Sequence, residues 1–331
     1  MSIRVGILGA AGYTGGELIR LLVHHPCATI RFAHSESSAG KRVQQVHEGL
    51  AGDTDLVFTD QLPLDEVDVL FLCFGHGKSR QWISEHQVPD GVKIIDLAQD
   101  FRLAAADHDF VYGLPEIHRD SISSAMHVAN PGCFATAIQL ALLPLAADHL
   151  LCHDVSVNAI TGATGAGQKP TPTSHFAWRD NNLSIYKVFT HQHLPEVRQS
   201  LTELQGSLPV SIDFIPYRGN FPRGIFCTCV VRFDGEEGTA THPSLAQLEQ
   251  RYTQFYAPAP FTHYVPEPLD LKQVVNTNKA LLHIDKFDNK IVITSVIDNL
   301  LKGAVGQAVE NMNLLFALPQ DTGLRLKASA F

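Results

Sequence analysis

The 331-residue sequence predicts two folded units, an α/β unit with a parallel sheet and an α+β unit with a mainly antiparallel sheet. Two observations support this class. Buried strands alternate with glycine turns and helices in the first part of the chain, and strand-like runs dominate after residue 151. The last segment returns to helix. We therefore assign residues 1–150 and 299–331 to the first unit and residues 151–298 to the second.

Composition narrows the functional class. The chain is 45% hydrophobic and 18% charged, as is typical of a soluble enzyme, and its net charge of −9 argues against nucleic-acid binding. No run of 18 uninterrupted apolar residues predicts a membrane segment. The six cysteines show neither a C-x-x-C pair nor a spacing typical of metal ligands. We expect reduced thiols, no metal, no membrane partner and a cytoplasmic location.

The first elements predict a dinucleotide-binding loop. A strand over residues 3–8 leads into a glycine turn and then an amphipathic helix over residues 17–24. Glycines allow a tight turn and close approach of a pyrophosphate, and the start of the helix supplies an anion site. The spacing is G-x-x-G-x-x-G rather than the usual G-x-G-x-x-G. The candidate cofactor residues are Gly9, Ala11, Gly12, Tyr13, Thr14 and Gly15.

The next strand, over residues 29–33, should end near the ribose of the adenosine. An acidic residue there would favour NAD. The chain offers the hydroxyls of Ser35 and Ser37 and the cation Lys41, which suit a 2′-phosphate and favour NADP(H), whereas Glu36 keeps NAD open.

The parallel pattern continues with an apolar strand over residues 67–74, a helix over 79–86 and a strand over 92–97. Gly75 follows the first of these strands, where such folds place ligands. Arg102 comes soon after the last one. An isolated arginine beside an aromatic residue is usually a surface cation, so Arg102 alone is weak evidence for an anion site.

Cys133 opens a long apolar helix after the turn formed by Asn130, Pro131 and Gly132. Unpaired N–H groups and the positive end of the helix dipole both favour a thiolate at such a position. We interpret Cys133 as a nucleophile. The alternative is an inert cysteine at the start of a core helix.

The second unit begins with a strand over residues 155–161, followed by a flexible turn over 162–167 that includes Gly162 and Gly165. Further strands are predicted at 212–216, 225–233, 281–287 and 290–297, with one helix over 244–256. Residues 288–289 form a hairpin signal. A last helix is predicted over residues 305–316.

Two histidines supply a candidate acid–base group. His191 and His193 precede Pro195 and Glu196, and an imidazole could take the proton of a thiol while Glu196 orients the ring. With 17 histidines in the chain, both could simply be loop residues. A metal site at H-x-H would need a further ligand cluster, which we do not find.

Together these residues resemble a known family, the N-acetyl-gamma-glutamyl-phosphate reductases of arginine biosynthesis. The resemblance covers nearly the whole chain and preserves the order of its motifs. The matching segments are residues 9–15, 96–102, 112–116, 130–133, 191–196, 219–224 and 298–306. It implies a Rossmann-like NADP-binding domain plus an α+β domain for substrate and oligomerisation, shared with aspartate-semialdehyde dehydrogenases. It also implies a homodimer or homotetramer.

The resemblance further implies roles for single residues. Cys133 would form a thioester, with His193 as the base and His191 as the second choice. Arg102 would hold phosphate. Other implied contacts are Asn130 and Arg223 for the substrate, and Gly162, Gly165, Asn299 and Gly303 near the nicotinamide.

Two departures from the family pattern concern the substrate. Gln99 and Gln168 stand where many members have alanine and arginine, and Lys169 could replace the missing cation. The substrate is expected to be an acyl phosphate with an N-acetyl group, and N-succinyl is the alternative. The rival hypotheses are an aspartate-semialdehyde dehydrogenase-like enzyme, a Cys/His hydrolase or acyltransferase, and a non-catalytic NADP sensor.

Overall fold

The computed structural model describes residues 2–329, which form two compact units. The first unit contains residues 2–131 together with Ala304–Arg325. The second contains Gly132–Gly303 and residues 326–329. Within residues 2–329, none of the helices is both long and apolar enough to cross a membrane.

The first unit is built on a seven-stranded parallel sheet with the order β3-β2-β1-β4-β5-β7-β6. Its strands are β1 (Ile3–Leu8), β2 (Ala28–His34), β3 (Phe58–Thr59), β4 (Val69–Leu72), β5 (Lys93–Asp96), β6 (Val111–Tyr112) and β7 (His127–Ala129). Every residue of β4 is buried, as expected for a central strand covered on both faces. β1 and β4 are neighbours although they are not consecutive, and such a switch point is where parallel sheets bind ligands.

Helices complete the first unit. They are α1 (Tyr13–Leu22), α2 (Ser79–Glu85), α3 (Pro115–Ser124) and α8 (Gly306–Leu315). Short 3-10 turns lie at Glu36–Ser38, Val43–Gln45, Glu48–Leu50 and Leu64–Glu66. α8 is buried along its whole length and follows a π-helical turn at Leu301–Val305. The predicted helix over 17–24 begins earlier, at Tyr13, and α3 was not predicted.

The second unit carries a seven-stranded mixed sheet with the order β12-β13-β14-β11-β8-β10-β9. Its strands are β8 (Val155–Thr161), β9 (Ser184–Ile185), β10 (Ile212–Arg218), β11 (Ile225–Arg232), β12 (Thr262–Tyr264), β13 (Ala280–Phe287) and β14 (Lys290–Ile297). The pairs β8–β10 and β12–β13 are parallel, and the other four are antiparallel. The predicted fold class is therefore confirmed.

The helices of the second unit are α4 (Cys133–Ala147), α5 (Phe176–Arg179), α6 (Leu194–Gln205) and α7 (Leu245–Phe255). Further 3-10 turns lie at Ala163–Ala166, Pro172–Ser174 and Leu271–Gln273. Ser244 caps α7 through its side chain, which accepts a hydrogen bond from the Gln247 N–H.

Helix α4 explains why the observed division differs from the predicted one. The sequence assigned residues 1–150 to the first unit, but the compact units divide after Pro131. α4 packs against α6, β11 and β14, so it belongs to the core of the second unit. Pro144 within α4 cannot donate to the Leu140 carbonyl, and the Tyr256 hydroxyl donates to that oxygen instead at 2.6 Å.

Candidate active site

Cys133 is the first residue of α4, as the sequence predicted. Gly132 precedes it in an extended conformation, with φ −72° and ψ 149°. Gly132 itself has no side chain with which to cap the helix, and the first turn of α4 contains no acidic residue. The cysteine is partly exposed, whereas the 13 residues that follow it are buried. The positive end of the helix dipole thus acts on an accessible sulfur, which favours the thiolate.

The His193 ring lies directly against the turn before Cys133. A Cβ atom placed on Gly132 would lie 2.4 Å from His193 Nε2, so only glycine fits there. The His193 main-chain N–H donates to His191 Nδ1 at 3.2 Å, and the two ring centroids are 4.6 Å apart. Both imidazoles are nearly buried and pack on Phe134. The structure therefore brings both predicted histidines to the start of α4, with His193 against the turn itself.

Glu196 also reaches this turn, from the first turn of α6. Its Oε2 accepts a hydrogen bond of 2.9 Å from the Gly132 N–H, and the residue is 2% exposed. A carboxylate at the start of α4 also interacts favourably with the helix dipole. Glu196 thus fixes the backbone that presents Cys133, a contact that the sequence did not predict.

Gly303 lies against Cys133, and Asn299 connects two loops of the second unit. A Cβ on Gly303 would lie 2.9 Å from the Cβ of Cys133, so the absence of a side chain at position 303 leaves space for the cysteine. Asn299 joins two loops, because its Oδ1 accepts from the Gly224 N–H at 2.7 Å and its Nδ2 donates to Thr164 Oγ1 at 3.1 Å. The predicted contacts of Gly303 and Asn299 with a nicotinamide stay predictions.

The glycine turn after β8 is held by its neighbours. A Cβ on Gly162 would lie 2.5 Å from the Pro222 carbonyl oxygen, so glycine is required for this close approach. Gly165 has more room, since its nearest neighbour would be Thr161 Oγ1 at 3.3 Å. Their predicted cofactor contacts are not tested by this geometry.

The two cations predicted for the second unit differ in environment. Arg223 forms an ion pair with Asp298, with Nε 3.1 Å from Oδ2, and the Asp298 side chain is fully buried. Its charge is therefore already compensated within the unit. Lys169 is exposed in the loop before residue 172.

In the first unit, the glycine loop has the shape that a pyrophosphate needs. Gly9 has φ +72°, and a Cβ there would lie 2.5 Å from the Cys73 carbonyl oxygen. Gly15 packs against the Ala10 backbone at a similar distance. At Gly12, by contrast, a Cβ would meet only one atom, at 3.5 Å, and would fill open space at the start of α1. That helix has neither a side-chain cap nor an acidic residue in its first turn, so it can accept an anion.

The remaining cofactor candidates are at the carboxyl ends of strands. Ser35 and Ser37 follow β2, and their hydroxyl oxygens are 3.4 Å apart. Glu36, between them, is exposed. Gly75 lies in the exposed turn after β4, where Asp100 accepts a hydrogen bond from the Gly77 N–H. The predicted contact of the two serines with a ribose or its 2′-phosphate stays a prediction.

Arg102 is only 4% exposed, so it is buried rather than a surface cation. Its Nε donates to the Asn130 carbonyl at 2.8 Å and its Nη2 to the Leu97 carbonyl at 2.9 Å. Asn130 is itself held by Ala304, whose carbonyl accepts from its Nδ2, and by the Asn311 amide, which donates to its Oδ1. The phosphate role of Arg102 and the substrate role of Asn130 stay predictions.

Two side chains near the histidines were missed by the sequence analysis. The Tyr186 ring centroid is 5.8 Å from that of His191, and Arg218 Cζ lies 4.8 Å from the Tyr186 centroid. Burial raises the pKa of Tyr186 to about 12, and the charge on Arg218 offsets part of that rise. One signal was present: Arg218 continues the inward-facing series Ile212, Phe214 and Pro216 of β10, where an apolar residue would be expected.

Comparison with known proteins identifies the family. A model described as semialdehyde dehydrogenase, NAD binding domain, matches residues 4–125, and one described as semialdehyde dehydrogenase, dimerisation domain, matches residues 133–299. Proteins named N-acetyl-gamma-glutamyl-phosphate reductase from Phocaeicola vulgatus and Bacteroides thetaiotaomicron are each 59% identical over 329 residues. One from Flavobacterium johnsoniae is 50% identical over 333 residues. Each alignment covers 99% of this chain and 100% of the relative.

Solved structures with the same fold are more distant in sequence. Aspartate semialdehyde dehydrogenase II of Vibrio cholerae is 18% identical, with a TM-score of 0.73 over 96% of this chain and 99% of that one. The aspartate semialdehyde dehydrogenase of Candida albicans, solved with NADP, is 16% identical, with a TM-score of 0.71 over the same shares. These likenesses concern the fold alone. By its full-length relatives and both domain matches, the chain belongs to the semialdehyde dehydrogenase family and, within it, to the N-acetyl-gamma-glutamyl-phosphate reductases.

Proposed function

We propose that the protein reduces N-acyl-gamma-glutamyl phosphate to N-acyl-glutamate 5-semialdehyde with NADPH, releasing phosphate, in arginine biosynthesis. Family membership supports the reaction class. The observation that carries the mechanism is Cys133 at the uncapped start of α4, with the His193 ring against the turn before it. The N-acyl group is acetyl in this proposal, and succinyl is the alternative.

The first half-reaction uses the second unit's own groups. His193 accepts the thiol proton, and the Cys133 sulfur attacks the acyl carbon of the acyl phosphate. A C–S bond forms, the bond from that carbon to the phosphate oxygen breaks, and its electron pair leaves with the phosphate. N–H groups in the first turn of α4 are placed to stabilise the negative oxygen that develops on the acyl carbon.

The second half-reaction converts the thioester into the aldehyde. A dinucleotide held by the first unit would supply the hydride that the thioester carbon accepts. The C–S bond then breaks, its electron pair returns to Cys133, and the His193 imidazolium stabilises the thiolate that is released. Glu196 keeps the Gly132 N–H paired throughout, so the backbone that carries the sulfur stays in place.

The dinucleotide would be held by the first unit. The open space at Gly12 and the uncapped start of α1 suit its pyrophosphate, and the Ser35 and Ser37 hydroxyls suit a 2′-phosphate. We therefore propose NADP(H) rather than NAD. Arg102 is the proposed phosphate contact. Its burial supports this role, because water screens the interaction of a buried cation with an anion less than that of an exposed one.

We also propose a homodimer or homotetramer that forms through the second unit. Its matching family model is described as a dimerisation domain. The sheet face opposite α4 carries partly exposed apolar residues, among them Ile160, Phe226, Val230 and Val292. Light scattering coupled to size exclusion should give a multiple of the 36.3 kDa chain mass, and Phe226→Asp should shift the protein towards the monomer.

The reaction is tested by phosphate-dependent reduction of NADP⁺ with three aldehydes: N-acetyl-glutamate semialdehyde, N-succinyl-glutamate semialdehyde and aspartate semialdehyde. The proposal expects turnover with one of the two N-acyl compounds, dependent on phosphate. Turnover with aspartate semialdehyde alone would favour the runner-up. Turnover that needs no nicotinamide would favour a hydrolase.

A further inference from the structure

Arg218, at the carboxyl end of β10, has an environment unlike that of a structural arginine. It is only partly exposed, and its Nη1 is buried with no hydrogen-bond partner among residues 2–329. A buried guanidinium nitrogen without an acceptor is unfavourable, because it has lost water and gained nothing in return. In a chain with a net charge of −9, an uncompensated cation of this kind suggests that its counterion arrives with a ligand.

A second cation next to Arg218 strengthens this argument. Arg179 is 6% exposed and donates to the carbonyls of Thr173 and Arg218 rather than to a carboxylate. Burial lowers the pKa of Arg179, and the neighbouring charge of Arg218 lowers it further. The two arginines are therefore close enough for one charge to act on the other, and together they create a positive potential at this end of the sheet.

The strand register places Arg218 on the side of the sheet that carries the catalytic candidates. It pairs with Thr161 of β8 and alternates with Phe214 on the same face of β10. Phe214 contacts both Phe134 and His191, with centroid distances of 5.1 and 5.4 Å. Arg218 is thus two inward positions beyond Phe214, which contacts His191.

Tyr186 connects Arg218 to the reacting group. Its ring lies between Arg218, at 4.8 Å, and His191, at 5.8 Å. After burial and Arg218, the charge on Cys133 is the next influence on the pKa of Tyr186, and it acts to raise it. The tyrosine is therefore close enough to sense both the sulfur and the guanidinium.

The contrast with Arg223 identifies which arginine is available. Arg223 stands on the loop after β10, and the resemblance to the reductase family implied that it contacts the substrate. It is neutralised by the fully buried Asp298, which also accepts hydrogen bonds from main-chain N–H groups. A carboxylate ligand would have to compete with that pair, whereas Arg218 forms no ion pair with a carboxylate among residues 2–329.

We propose that Arg218 binds a carboxylate of the N-acyl-glutamyl substrate, away from the carbon that reacts with Cys133, and that Tyr186 positions its guanidinium. The carboxylate reaches the exposed part of Arg218, neutralises the charge and accepts from the planar donor edge in the paired geometry that arginine favours. This inference rests on the proposed function for the identity of the ligand. Two sources share the chemistry, the α-carboxylate and the terminal carboxylate of an N-succinyl group.

The test separates binding from turnover by using ligands that cannot react. Calorimetry measures the dissociation constants of N-acetyl-norvaline, N-acetyl-norvalinamide and N-succinyl-norvalinamide for the wild-type chain and for Arg218→Gln. Loss of a charge-assisted contact should weaken binding on the order of 10- to 100-fold. If Arg218 holds the α-carboxylate, the wild type prefers the acetyl acid over its amide by that factor and Arg218→Gln removes the preference. If it holds the acyl carboxylate, the same loss appears for the succinyl amide relative to the acetyl amide.

Controls keep the outcome clear. Arg232→Gln removes an exposed cation from the end of β11 and should change none of these constants. Arg218→Lys keeps the positive charge but loses the paired N–H donors of the guanidinium, so it should bind the carboxylate ligand about tenfold more weakly than the wild type. This variant replaces Arg218→Gln in the test if the glutamine variant does not fold. Equal preferences in the wild type and both Arg218 variants would overturn the inference. Wild-type protein that turns over neither N-acyl semialdehyde would instead overturn the proposed function.

Discussion

Cys73 and Cys133 both stand at element ends beside a glycine turn, yet their surroundings give them opposite properties. Cys73 follows β4, packs beneath the loop at Gly9 and is 8% exposed. Burial raises the pKa of Cys73 to about 12, with the nearby charge of Asp96 adding to the rise and the Thr14 side chain opposing it. Cys133 is partly exposed at the uncapped start of α4, with His193 against the preceding glycine.

The two units use the same structural feature, the start of a helix after a glycine, in different ways. Each has a helix that begins after a glycine without a side-chain cap or an acidic first turn. In the first unit that positive end is left open for an anionic ligand, and the nearby thiol is kept neutral. In the second unit the cysteine occupies the first helical position, so the dipole acts on the sulfur itself.

Removing the Cys133 sulfur should have the largest effect. Cys133→Ser leaves a hydroxyl that is a far weaker nucleophile, and we expect turnover of the N-acyl semialdehyde to fall by at least about 10³-fold. NADPH binding, followed by its fluorescence, should remain. Cys152→Ser changes an exposed thiol and is the matched control. Activity of Cys133→Ser close to that of the wild type would exclude the thioester mechanism.

Replacing the imidazole against Gly132 should have the next largest effect. His193→Asn keeps hydrogen-bonding capacity but removes the acid–base group, and the rate should fall roughly 10²–10⁴-fold. His191→Asn is the comparison variant. If it shows the larger defect while His193→Asn loses less than tenfold, the base is His191.

Selective alkylation compares the two thiols directly. A rise from 9.0 to about 12 in the pKa of Cys73 lowers its thiolate fraction at neutral pH about a thousandfold. Iodoacetamide should therefore modify Cys133 first, and activity should be lost at the rate at which Cys133 is modified. Peptide mass spectrometry over time reads both sites. If Cys73 is labelled as fast as Cys133, burial does not cause the difference in reactivity between the two thiols.

Sequence reasoning predicted elements best where local chemistry decides them. The bounds of β1, β8 and β14 match the prediction, because their apolar runs end at turn residues. α6 was missed because Pro195 and two histidines resemble a loop. Proline is tolerated in a first helical turn, where its missing N–H has no intrahelical partner to lose.

Contacts between residues distant in the chain could not be predicted. The Glu196 bond to Gly132 spans 64 positions, and the Arg223 pair with Asp298 spans 75. Both depend on how helices and loops pack, which no local pattern specifies. The same holds for Arg218: that its Nη1 has no acceptor among residues 2–329 appears only once its neighbours are in place.

The smallest predicted effect concerns the buried Asp96 beside Cys73. Its Oδ1 accepts from Ser79 Oγ at 2.5 Å and from the Ala98 N–H at 3.1 Å, and burial raises the pKa of Asp96 to about 6. The folded state thus holds this proton more tightly than the unfolded state, where the pKa is 3.8. Its contribution to stability is full below pH 4, is lost as the pH rises to 6, and is constant above.

Asp96→Asn keeps the oxygen acceptor and removes the titration. Urea unfolding of both chains at pH 4 and pH 7.5 should show the variant gaining up to about 3 kcal/mol relative to the wild type between the two values, since two pKa units correspond to that free energy. The variant should also alkylate faster at Cys73, because the Asp96 charge no longer opposes a thiolate there. A stability difference that does not change with pH would mean that Asp96 is already ionised in the folded state near pH 4.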